Sequence, residues 1–211
     1  MKRIALLSCL CLAGLALHAQ GCFTVRYFGL TVHPFGDDQA ALQPYKLDKN
    51  AYLVLNFGGI AAYEKYIWED IISVKALQGI FSDCSGGWAS VSHLGFRCWL
   101  AEKGRHRLLF GLGPTLYCRE DWNRFADYKD SGFFHRTNIR PLGEMQYKVF
   151  WYGCEFEYDY RLSDKTDLNI GFTPGAPLAL AFSFGIKYWL SKDFVKTEKL
   201  VVPRKSKQEG R

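Results

Sequence analysis

His93 has Ser92 as its neighbour and Ser90 close by, and Asp83 lies a little upstream. A histidine able to take a proton, a hydroxyl to attack and a carboxylate to orient the ring are the parts of an acyl-transfer site. Glu155, far along the chain, is a second carboxylate that could orient His93. The spacing carries a difficulty. Adjacent residues on a strand point to opposite faces, so Ser92 serves His93 only across a β-bulge. Ser73, Thr115 or a water activated by His93 are the other nucleophiles the sequence offers. The plain alternative makes His93 a buried polar residue hydrogen-bonded near Glu155 or Lys75. His33 and His106 are weaker candidates: the first tops an extended segment beside a long connection, and the second follows a tight turn at the opposite end. His135 lies within a long polar connection and reads as solvent-exposed.

Arg119, Arg124, Arg136 and Arg140 cluster near that connection. Guanidinium forks there, Arg119 and Arg124 first among them, suit the phosphates of a surface lipid, or they are ordinary loop charges. Gly111-Leu112-Gly113-Pro114 lacks the Lys-Ser/Thr of a phosphate loop and falls mid-strand, where glycine makes room. Of the seven cysteines, Cys9 and Cys11 lie in the first twenty residues, and Cys98, Cys118 and Cys154 fall on apolar strand faces as small hydrophobes. Cys22 and Cys84 belong at opposite ends. No metal-ligand spacing and no disulfide framework emerges, and the sequence leaves any cofactor unknown, a divalent cation included.

The elements that would position these groups are strands. Residues 86–119 read as a hairpin in which Leu94, Phe96, Cys98 and Leu100, then Leu108, Phe110, Leu112 and Leu116, alternate with small or polar residues. Six more segments alternate in the same way. They carry Phe28, Leu30 and Val32; Leu53, Leu55 and Phe57; Ile72, Val74 and Ala76; Phe150 through Tyr160; Leu168, Ile170 and Phe172; and Leu178 through Leu190. The opposite parity holds Arg97, Arg119, Glu155, Glu157, Asp159 and Lys187, expected to neutralise one another inside. Short connections at 61–65, 102–105 and 162–165 face longer ones at 34–50, 81–86 and 120–143, with a tight turn at 174–177. Short turns at one end and long loops at the other are the pattern of an outer-membrane barrel. Trp99, Tyr160 and Trp189 are expected at the short-turn rim as an aromatic girdle.

Composition sets the remaining bounds. Met1-Lys2-Arg3, an apolar run and Ala19 read as a signal peptide over 1–19, with a barrel over 20–191 and a basic periplasmic tail over 192–211. A lipoprotein anchored at Cys22 is the lesser alternative. The net charge of +6 resides in the leader and the tail, and the body sums to zero, so a nucleic-acid partner is not expected. Apart from the leader, no apolar run approaches the ~20 residues of a membrane helix. Lipid offers backbone amides no partners, so a sheet enters it only when closed. The expected fold is therefore all-β: an eight-stranded antiparallel transmembrane β-barrel after a cleaved signal peptide, in the bacterial outer membrane. A soluble barrel with its apolar face inward is the rival.

Several runs carry a resemblance. Asp83-Cys84, His93-Leu94-Gly95-Phe96-Arg97, Gly111 through Thr115, Arg119 through Trp122, Phe150 through Tyr158 and Phe182 through Ile186 are similar to Bacteroidetes outer-membrane barrels of the lipid A deacylase family. The resemblance implies hydrolysis of an ester-linked 3-hydroxyacyl chain of lipid A, with lipopolysaccharide and outer-membrane lipids as partners. It departs at one position. Eight-stranded 3-O-deacylases carry His-x-Ser on one strand face, and here Gly95 stands where that serine belongs, so only His93 carries over. The alternative function is a non-enzymatic barrel with a structural or surface-binding role.

Overall fold

The computed structural model describes residues 20–68, 71–139, 142–173 and 180–190. The expected signal peptide, the basic tail, Arg140 and the turn at 174–177 lie outside them. Nine antiparallel strands form: β1 (Gly21–Val32), β2 (Leu53–Trp68), β3 (Ile72–Ser82), β4 (Trp88–Lys103), β5 (His106–Glu120), β6 (His135–Ile139), β7 (Gly143–Arg161), β8 (Thr166–Thr173) and β9 (Leu180–Trp189). β1 pairs with both β2 and β9, and β5 pairs with β7, so eight strands close a ring. β6 is the ninth. It arises inside the long connection 121–142 and pairs only with the outer end of β7.

The ring is apolar outside and polar inside. Val25, Leu94, Phe96, Leu112, Phe184 and Ile186 stand exposed on the outer surface, while Arg26, Lys75, Arg97, Glu155, Glu157 and Lys187 are buried. β2, β4, β5 and β7 run for 15 to 19 residues, beyond the ~9–11 that cross a bilayer at a tilt. This is transmembrane barrel architecture, and a soluble barrel is the reverse of it. Phe96→Arg on the lipid-facing side of β4 is expected to destabilise the barrel by about 2–4 kcal/mol, read as the denaturant midpoint in detergent micelles. A change near zero would mean that this face meets water.

Three expectations about strand bounds and parity change. Residues 61–65 are not a turn but the middle of β2, paired with β3 through Glu64↔Lys75, and the hairpin reverses after Trp68. In β1, Tyr27 points out and Phe28 in; a register break at Gly29 then restores the expected parity, so that Thr31 and His33 point inward. In β7, Trp151 and Tyr152 are both exposed, at 73% and 79%. Pro114 of β5 explains this: it has no amide hydrogen to give the ladder, and β7 bulges opposite it between Gly113↔Gly153 and Thr115↔Phe150.

The interior is layered. At the short-turn end, Trp99 and Trp189 do not form a girdle. They face inward, close on Tyr66, and hold the Arg107 guanidinium 4.7 and 5.4 Å from their ring centres. Above them, four cations (Arg26, Lys75, Arg97, Lys187) meet four anions (Glu64, Glu155, Glu157, Asp159). Arg26 lies 2.7 Å from Glu155, Arg97 2.6 Å from Glu157, and Lys187 3.1 Å from Glu157. Lys75 also contacts Glu157 directly. Gly171 is required here, because a Cβ would collide with Arg26 Nη1. Next comes an apolar plug of Phe28, Ile60, Leu77, Phe81 and Val91, with the Phe28 and Phe81 rings stacked at 4.0 Å. Side chains thus fill the waist of the barrel, as eight strands permit.

Candidate functional site

The residues first suspected of chemistry are not brought together. His93 points inward and is buried, its Nδ1 2.7 Å from Thr115 Oγ1. Its Nε2 leans over Gly95, where a Cβ would lie 2.5 Å away, and has no hydrogen-bond partner among the described residues. Ser92 lies on the outer face, with its hydroxyl 2.6 Å from Gln78 Oε1. β4 pairs with β3 in unbroken register through this point, so no bulge turns Ser92 toward His93. Asp83 is consumed by its own loop: it accepts from Ser85 N, Ser85 Oγ and Gly87 N, and from Trp122 Nε1 at 2.7 Å. Glu155 is held by Arg26 and Lys75. Of the suggested partners, only Thr115 reaches His93, and that pair has no carboxylate hydrogen-bonded to it.

The concave chemistry lies at the long-loop end. Above the apolar plug opens a cavity of about 720 Å³, lined by Phe28, Phe81, Tyr117, Phe133, Phe134 and Phe150 among others. Polar and charged side chains share the lining, Thr31, Asp38, Asn56 and Lys129 among them, and such groups orient a ligand within apolar walls. Arg119 is one of them. Its guanidinium is clamped between Trp122, 4.0 Å away, and Phe134, 3.9 Å away. Its Nε donates to Gln146 and its Nη2 to Tyr128, and the third nitrogen has no hydrogen-bond partner among the described residues. Arg124 does not line the cavity. It pairs with Glu120 and lies over Phe125 at 4.8 Å. Arg136 reaches Asp121 at 3.5 Å.

The same cavity is also lined by His33, Asp37 and Cys84. Gly36, at φ +74°, closes a turn through its N–H to the His33 carbonyl, and that turn folds Asp37 back over the ring. Asp37 Oδ2 lies 3.1 Å from His33 Nδ1. Burial alone would raise the Asp37 carboxyl. The hydrogen bonds from His33 and from the Gln39 amide outweigh it and hold the group below its ordinary value, hence ionised. A neutral His33 ring that donates Nδ1–H to Asp37 would present Nε2 as an acceptor. The Cys84 sulfur sits 3.8 Å from that Nε2. Sequence reasoning named His33 only as a weaker candidate and joined it to neither Asp37 nor Cys84. The four-residue step from His33 to Asp37 through Pro-Phe-Gly was the available signal, while Cys84 arrives only because the outer ends of β1 and β3 flank β2.

Among the described residues, no set of three His, Cys, Asp or Glu side chains could hold a metal ion. Fold and site together define a small inside-out barrel with a filled waist and an aromatic mouth. No family model matches the chain, and no curated protein does. Among solved structures, the Yersinia pestis outer membrane protein Ail, as a backbone structure in a phospholipid bilayer nanodisc, matches over 82% of this chain and 99% of its own, at 10% identity and a TM-score of 0.42. The closed ring of this chain is defined by its own strand register.

Proposed function

We propose that this barrel resides in the bacterial outer membrane and hydrolyses an ester-linked 3-hydroxyacyl chain of lipid A, with the chemistry at the barrel mouth rather than at His93. The observation that carries this reading is one cavity holding a carboxylate-oriented histidine and a ring-clamped arginine among phenylalanines. Each part suits the substrate. Arg119 has a donor to offer a lipid phosphate. The aromatic walls suit an acyl chain, and His33 Nε2 is a base positioned to accept a proton during attack on the ester carbonyl. The sequence resemblance to lipid A deacylases points the same way.

The test is mass spectrometry of lipid A from cells with and without the gene. Loss of one acyl chain only when the gene is present supports the reading, and identical lipid A leaves a non-catalytic surface-binding barrel. Ser92→Ala is expected to leave the product pattern unchanged, because that hydroxyl faces away from both histidines.

A further inference from the structure

We infer that Cys84 is the nucleophile of the mouth site, acting with His33 and Asp37 as a thiol triad that forms a thioester with the acyl chain. This rests on the hydrolase reading above and adds to it the identity of the attacking atom. Three observations converge. Sγ lies 3.8 Å from His33 Nε2, and the other ring nitrogen, Nδ1, lies 3.1 Å from the Asp37 carboxylate. All three residues open onto the cavity that would hold the substrate. The loop around them is fixed: Asp83 binds the amides of Ser85 and Gly87, and Asn56 donates to the Ser82 carbonyl at 3.0 Å with its amide nitrogen 3.9 Å from Sγ. Asn56 is in turn held by the Thr31 hydroxyl at 2.6 Å. A cysteine present only for packing would need neither a histidine acceptor nor a carboxylate behind it.

Burial pushes the Cys84 thiol up to about 12, so it rests as a thiol and not as a thiolate. Attack then requires a base in the same step, which is the role of His33. The Sγ–H proton passes to His33 Nε2 as the S–C bond forms at the ester carbonyl. The C–O bond to the sugar breaks, and the departing alkoxide takes the proton back from Nε2. Water next gives a proton to Nε2 as its oxygen attacks the thioester carbonyl. The C–S bond breaks, the sulfur recovers the proton, and the free 3-hydroxy acid leaves. No oxidant, reductant or metal enters the balance.

The test uses the full-length barrel in detergent micelles with p-nitrophenyl hexadecanoate, quenched in acid and read by intact mass and peptide mapping. The expected result is one acyl adduct, on the peptide holding Cys84 and not on those holding Cys22, Cys98, Cys118 or Cys154, and removable by neutral hydroxylamine. Cys84→Ala should lose the adduct and at least about a hundredfold of p-nitrophenol release. Heat-dependent gel migration identical to wild type shows that the variant is folded. If Cys84→Ala keeps wild-type release while His33→Asn loses it, the attacking atom is water: this inference fails and the hydrolase reading stands. If the wild-type barrel gives neither adduct nor release and also leaves lipid A intact, both fail together.

Discussion

His33→Asn is expected to lower the rate of acyl release from lipid A by about 10²–10⁴-fold while leaving the barrel folded. Asparagine approximates the shape of the ring and can still hydrogen-bond Asp37, but it cannot take a proton at the position of Nε2. The variant therefore removes the base and keeps most of the packing at the mouth, where His33 is buried beside Asp37 and Cys84. The measurement is the initial rate on purified lipid A in micelles, with heat-dependent gel migration as the folding control. His93→Asn is the matched comparison. His93 lies below the mouth cavity and bonds only Thr115 among the described residues, so its loss should leave the rate within a few-fold of wild type. A rate abolished by His93→Asn and untouched by His33→Asn would return the chemistry to β4 and overturn the assignment.

The second large effect is on stability. Glu157 touches Arg26, Lys75, Arg97 and Lys187, more cations than any other anion of the cluster meets. Glu157→Gln keeps the volume but leaves four cations facing three anions among fully buried side chains. Removing one partner of a buried ion pair costs about 3–5 kcal/mol, because the remaining charges lose compensation but not their desolvation penalty. The denaturant midpoint of micelle-embedded barrel should fall accordingly. A fall below about 1 kcal/mol would mean that water reaches the cluster and screens it.

Strand parity was legible in the sequence wherever the strands are regular. Along β4 and β5, alternation placed Arg97, His93, Thr115 and Arg119 on the inner face without error. It failed where the ladder breaks. The register step at Gly29 reversed Tyr27 and Phe28, and the bulge opposite Pro114 turned both Trp151 and Tyr152 outward. Pro114 could have warned of the second, and Gly29 itself, a glycine within a strand, of the first. The run Ala61-Ala62-Tyr63-Glu64-Lys65 reads as a turn because it is polar at one end and small at the other, yet Glu64 is polar because it meets Arg97 across the lumen at 2.5 Å. The site failed to show for a related reason. His33 and Cys84 are 51 positions apart, and a strand-by-strand reading does not reveal which loop tips meet over the mouth of a closed ring.

The charge cluster also dictates how this barrel can be assembled. Its anions come from β2 and β7 alone, and its cations from β1, β3, β4 and β9, so no strand neutralises itself. β7 brings three carboxylates, whose partners Arg26 and Lys187 sit on the first and last strands of the ring. The β3–β4 hairpin, entering the bilayer ahead of the others, would carry Lys75 and Arg97 into hydrocarbon with none of the cluster's anions. Ring closure is what brings each of these charges to its partners, and a chain truncated before β9, which lacks Lys187, is expected to insert less readily than the full chain.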